Sequence, residues 1–347
     1  MSHHMPILPA GLVGSYSQPE WLIDRARLGE RLPPRVRARE LWLVAPDELE
    51  AAQRHATLEA VDEQLRAGAD FVTDGEIRRE SYSNRFANSL AGVDLDHPGE
   101  AIDRTGRPVP VPRVSGPIEW CYSAEEDYVR LLKAHTDKPV KVTLPGPFTM
   151  TQQAQNDHYA DAAALAEAYA AAVNQEVQAV FAAGADIVQL DEPYVQARPE
   201  QARAYAVAAI DRALAGVTGT TALHVCFGYG RHVDDKPDRY AFLAELDACA
   251  ADEISLECAQ PGLDLTDLEL LPSKRIHVGV VSLHDPAVEP PEVVATRIRA
   301  ALEHLPAERM VVAPDCGMKY LPRDVAYNKL TNMIAGRDRV KRELGLA

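Results

Sequence analysis

The chain has 347 residues, of which 25% are charged, and its 52 Asp and Glu against 36 Lys and Arg leave a formal net charge of -16. So acidic a balance argues against nucleic acid or an anionic membrane as a partner. No apolar stretch approaches the roughly eighteen residues that mark a transmembrane helix. Five Cys, an odd number scattered along the chain, do not form a disulfide framework. The opening Met-Ser-His-His-Met lacks the basic-then-apolar order of a signal peptide, so a cytoplasmic location is expected. His3 and His4 read as a frayed or tagged terminus rather than as a metal tract.

In chain order, short apolar runs alternate with longer Ala-, Leu- and Arg-rich segments of helical period, the pattern of repeated βα units. The runs fall at 7–13, 69–73, 140–144, 186–190, 222–226, 253–257, 276–281 and 310–313. Between the first two, 50–67 predicts a helix that stops at Gly68; between the third and fourth, Ala-rich 159–183 predicts another that stops at Gly184. Segment 78–136 is too long for a simple connection, and its 92–117 part mixes Pro, Gly and alternating Val as a β-hairpin does. Eight parallel strands with helices between them predict an α/β fold, a (β/α)8 TIM barrel with a long insertion after the second strand. The expected organisation is one domain over 1–347, with 78–136 capping the barrel mouth.

Barrel active sites are built from the loops at the C-terminal ends of the strands. Those loops carry Gly14 and Ser15, then Asp74 to Glu76, then Asp191 and Glu192. Further along come His224 with Cys226, Glu257, Ser282 with His284, and finally Asp315 and Cys316. His224 and Cys226 stand at i and i+2 of an apolar run, so both side chains project from the same face of a strand. Two thiolates and an imidazole select zinc over harder cations, and a carboxylate can complete a tetrahedron. The candidate ligands are therefore His224, Cys226, Glu257 and Cys316.

The strings Gly14-Ser15-Tyr16, Asp74-Gly75-Glu76 and the run Leu144 to Thr149 recur together with Gln189 to Pro193 and His224-Val225-Cys226. With Leu256-Glu257 and Pro314 to Lys319, they resemble, in order, the C-terminal catalytic barrel of cobalamin-independent methionine synthase. The resemblance covers nearly the whole chain. It implies a zinc held by His224, Cys226, Glu257 and Cys316 that binds the thiol of homocysteine and delivers it to the methyl group of a methyltetrahydrofolate. It also implies Gly14, Ser15, Glu76 and Asp191 as residues that hold the amino acid. Simple chemistry agrees with those roles. A thiol with a pKa near 8.5 loses its proton outright on zinc, and two carboxylates suit an ammonium group while Ser15 and nearby backbone N–H groups suit a carboxylate. A tertiary amine that loses its methyl group needs a proton, for which His284 is the candidate general acid.

Plainer roles compete for several of these residues. Asp74 and Glu76 suit a helix cap, Asp191 to Pro193 a turn at a strand end, and His284 a cap on the Pro286 turn. Cys121, Cys249 and Cys258 read as small buried hydrophobes. Arg78 and Lys319 suit a phosphate or a carboxylate. The second, N-terminal barrel of full-length relatives has no counterpart here, and Met150 to Gln153 lack the tryptophan on which the family stacks its pterin. Alternatives are thus a thiol alkyltransferase of the epoxyalkane and coenzyme M type, or a non-catalytic barrel that binds a metal or an amino acid.

Overall fold

Strand parity organises the molecule. The computed structural model describes residues 5–29, 34–103, 106–228 and 236–346; His3, His4 and His232 lie outside them. Among the described residues nine strands form, β1 Leu90–Ile102, β2 Pro108–Trp120, β3 Lys141–Pro145, β4 Gln155–Asn156, β5 Ile187–Asp191, β6 Thr220–Val225, β7 Glu253–Leu256, β8 Arg275–Gly279 and β9 Met310–Ala313. Six of them make a parallel sheet in the order β3-β5-β6-β7-β8-β9, with helices between successive strands. Along each strand one parity set is apolar: Val188 and Leu190, Leu223 and Val225, Ile254 and Leu256, Ile276 and Val278 all join the main core. The other set faces the barrel interior and, on β3 and β5 to β8, carries the polar side chains. There the Lys141 ammonium donates to Gln189 Oε1 at 3.1 Å, and Gln189 Nε2 donates to Asp191 Oδ1 at 2.8 Å. Beside them His277 Nε2 and Glu253 Oε2 lie 2.6 Å apart.

The expected first and second strands contribute only single parallel bridges, Ala10 to Val312 and Val72 to Val140. Hydrogen bonds nonetheless run round the ring. Val312 donates to Pro9 O at 2.8 Å, Asp70 N to Ala10 O at 2.9 Å, and Lys141 N to Val72 O at 2.8 Å. The shortfall has two causes. Pro9 has no N–H to give a ladder, and the Ala10 N–H is taken at 2.9 Å by a side chain, Asp70 Oδ2, instead of a strand carbonyl. Arg337, on the helix Arg323–Glu343, braces the same place by donating to Leu8 O at 3.0 Å and to Asp70 Oδ2.

The helices follow their caps. Leu49–Ala67 ends at Gly68, whose φ of 91° supplies the left-handed turn. Ala162–Ala182 starts where Asp161 Oδ1 accepts from Ala164 N at 2.8 Å. Within 78–136, β1 and β2 pair antiparallel as an irregular hairpin, and β4 adds to β2 in parallel. The hairpin is anchored by Trp120 Nε1 donating to Glu176 Oε2 at 2.7 Å, and by Arg198 Nη2 donating to Ile102 O at 2.6 Å. Of the three cysteines expected to be buried, Cys249 and Cys258 are; Cys121 is exposed, because it follows directly on β2 at the foot of the hairpin. Among the described residues no helix is long and apolar enough to cross a membrane.

Candidate active site

At the C-terminal ends of the strands a cleft with about 410 Å³ of empty space is lined by Gly14, Ser15, Glu76, Tyr82 and Asp191 on one side and by His224, Cys226 and Cys316 on the other. Register explains part of this convergence. Asp191 pairs with His224 across β5 and β6, and His224 pairs with Ser255 across β6 and β7, so all three face the same interior. Ser255 Oγ lies 3.0 Å from His224 Nδ1, which fixes the ring and leaves Nε2 buried without a hydrogen-bond partner. The donor atoms of His224, Cys226 and Cys316 lie within 4.8 Å of one another, all buried. Cys226 and burial together hold the Cys316 thiol well above its usual range.

Glu257 stands at the edge of this cluster. Its Oε2 accepts from Lys236 Nζ at 2.7 Å, while Oε1 is buried with no partner. Burial and the neighbouring Cys226 push its carboxyl up to about 8, and Lys236 pulls it back. An orphaned imidazole nitrogen, two buried thiols and an orphaned carboxylate oxygen are a donor set that suits a soft divalent cation. Asp315 is structural. Its oxygens accept the backbone N–H groups of Cys258, Ala259 and Gln260 at 3.0, 2.9 and 2.6 Å, which ties the loop after β7 to the loop after β9.

The opposite wall is acidic. Gly75 and Glu76 both have left-handed backbone, with φ of 65° and 53°, and Glu76 N donates to Asp74 Oδ1 at 3.0 Å. A non-glycine residue held there is strained, a feature that concentrates at functional sites. Asp74 takes the turn-capping role, and Glu76 is left facing the cleft. Thr143 Oγ1 donates to Glu76 Oε1 at 3.0 Å, whereas Oε2 has no partner. Burial raises the Glu76 carboxyl; nearby Arg79 and Lys319 oppose that shift. Asp191 is pushed up to about 7, chiefly by burial. A Cβ on Gly14 would come 2.8 Å from Glu76 Oε1, and one on Gly317 would come 2.0 Å from Ser15 Oγ, so both glycines are needed for this close packing. Glu192 serves the scaffold, accepting Phe148 N at 2.9 Å and Thr149 N at 2.7 Å.

His284 is placed differently from the rest. It is exposed on the loop after β8 and does not line the cleft. Lys236, Ser255 and Gln189 hold site residues yet were given no role from the sequence. Ser255 and Gln189 carried a signal, each standing two residues before a site acid, Glu257 and Asp191, on the same strand face, and Gln189 opens the string Gln189 to Pro193.

Residues 26–337 match the family model of the cobalamin-independent synthase catalytic domain. A methionine synthase of Thermococcus kodakarensis is 33% identical over 98% of this chain and 95% of its own length. One from Saccharolobus solfataricus is 32% identical over 98% and 97%. Among solved structures, a B12-independent methionine synthase from Shewanella sp. W3-18-1 in complex with selenomethionine superposes with a TM-score of 0.89, at 30% identity over 98% of this chain and all of that one (100%). With the cleft, its buried thiols and these relatives in agreement, the chain belongs to the cobalamin-independent methionine synthase family.

Proposed function

We propose that this protein is a zinc-dependent methyltransferase that forms methionine from homocysteine, working as a single domain over 1–347 with 78–136 overlying the mouth of the barrel. The observation that carries the reading is the joining of two chemistries in one cleft. The buried cluster of His224, Cys226 and Cys316 faces a wall bearing Glu76 and Asp191.

His224, Cys226, Cys316 and the free oxygen of Glu257 would hold the zinc. Bound there, zinc would supply a Lewis acid that lowers the pKa of a substrate thiol, so that its proton is lost to solvent at neutral pH. The protein supplies the rest. Glu76 Oε2 and Asp191 receive the ammonium group of the amino acid, and Ser15 with the backbone beside Gly14 receives its carboxylate. Gln189, itself held by Lys141, fixes the Asp191 carboxylate in place. The methyl group passes from the donor nitrogen to the thiol sulfur; the bonding pair stays on nitrogen, and His284 provides the proton it takes up. That role asks the exposed loop after β8 to approach the donor when the donor is bound. No Lys or Arg lines the cleft among the described residues, so a thiol bearing a sulfonate lacks a counter-charge there.

The test is methionine production by zinc-loaded protein from L-homocysteine and N5-methyltetrahydrofolate, in monoglutamate and triglutamate forms, with metal content measured in the same sample. Methionine from either form supports the reading. Loaded protein that binds neither L-homocysteine nor L-methionine in calorimetry would overturn it.

A further inference from the structure

The segment 76–82 that gives Glu76 and Tyr82 to the catalytic cleft also gives Arg78 and Glu80 to a second, solvent-open cleft with about 1030 Å³ of empty space in and above it. Among the described residues, Arg37, Arg39, Arg78 and Arg85 line it against a single acid, Glu80, in a chain whose net charge is -16. Glu80 is already engaged, accepting Trp42 Nε1 at 2.7 Å on one oxygen and Asn84 Nδ2 at 3.1 Å on the other.

Arg78 is the inner group. Its side chain is 9% exposed, and its Nε and Nη1 have no hydrogen-bond partner. Its guanidinium lies over the Tyr128 ring, 3.2 Å from the centroid. The nearest carboxylate oxygen, Glu125 Oε2, is 3.9 Å from Nη1. That carboxylate is shared, because Arg79 Nε and Arg85 Nε both stand 3.3 Å from Oε1. Three guanidiniums thus crowd one carboxylate, with Asp74 giving Arg79 a second at 3.6 Å. A buried guanidinium with unmade hydrogen bonds is costly, and its planar fork matches the paired oxygens of a carboxylate or a phosphate.

We propose that this cleft is a second ligand site, separate from the methyl-transfer site, for a small molecule carrying a carboxylate or phosphate oxyanion. Arg78 anchors the oxyanion, exposed Arg37 and Arg39 complete the charge at the rim, and Trp42 and Tyr122 flank the body of the ligand. The site lies against the segment 76–82 that also carries Glu76.

The test is calorimetric titration of the full chain with inorganic phosphate and, separately, with succinate, at an ionic strength held constant with chloride. Saturable binding of at least one of them is expected. It should weaken by about ten-fold or more in Arg78→Gln, the loss of one charge-assisted pair, and persist in Glu76→Gln. Binding of phosphate alone assigns a phosphate ligand, and of succinate alone a carboxylate. Should Arg78→Gln fail to fold, the Arg37→Gln/Arg39→Gln double variant carries the test, since both side chains are exposed. No binding of either anion above the chloride control overturns the proposal, as does equal binding by the parent and the arginine variants.

Discussion

Replacing Glu76 with Gln separates binding from scaffolding. The carboxamide keeps the volume and an oxygen that can still accept from Thr143 Oγ1, now at 3.0 Å, but removes the charge that would face a ligand ammonium. A charge-assisted hydrogen bond contributes about 1.5–3 kcal/mol, which corresponds to roughly 10- to 150-fold weaker binding of L-methionine or L-homocysteine. Stability should move the other way or stay still. Burial raises the Glu76 carboxyl above its unfolded value. Such a group contributes stability below its unfolded pKa and loses it as pH rises through the folded one. At neutral pH the substitution therefore removes a penalty, and the Tm of the ligand-free variant should equal or exceed that of the parent. Calorimetry with L-methionine and a thermal melt on the same preparation read both quantities. Unchanged affinity together with a lowered Tm would refute the reasoning and make Glu76 a structural residue of its turn.

Cys316→Ser takes a thiol from the buried cluster, and zinc affinity in chelator competition should fall by more than the roughly 10- to 100-fold that loss of an outer-shell partner causes; full retention would remove Cys316 from the metal site. Lys141 is buried inside the barrel and burial brings its pKa from 10.5 down to about 7. A depressed folded pKa gives stability that is present above the unfolded pKa and lost as pH falls through the folded one, so urea-unfolding stability should rise by up to about 1.4 kcal/mol per unit from pH 7 upward. Lys141→Met should flatten that slope, and an unchanged slope would show that another group sets it.

Much of this architecture was legible because two periodicities rarely coincide by chance. In Val188 to Asp191 and in Ala222 to Cys226, apolar residues and ligand-type residues alternate, which marks both the strand and its C-terminal end. The cluster of His224, Cys226 and Cys316 followed from that placement. Other features lay beyond a pattern reading. The 7–13 run has strand composition, yet Pro9 and the Asp70 side chain between them replace most of its ladder, a substitution visible only once residue 70 lies beside residue 10. Lys236 meets Glu257 across 21 positions of chain with no spacing rule to announce it. His284 shared the strand-end position of the other site residues, but a position in sequence does not say which way a loop leans, and this one leans into solvent.

The junction around Ala10 and Asp70 also bears on how the protein is made. Its brace, from Arg337 to Leu8 O, joins residues 329 positions apart, whereas β5 to β8 each pair with the next strand of the sheet in chain order. Contacts so distant form late, since loop closure must precede them. On a ribosome, β5 to β8 can pair as they emerge, whereas the junction at Leu8 and Asp70 takes its brace only once Arg337 has been synthesised. A fragment that stops short of Arg337 would therefore hold the strands paired with their chain neighbours but lack the brace that closes the junction at Leu8 and Asp70.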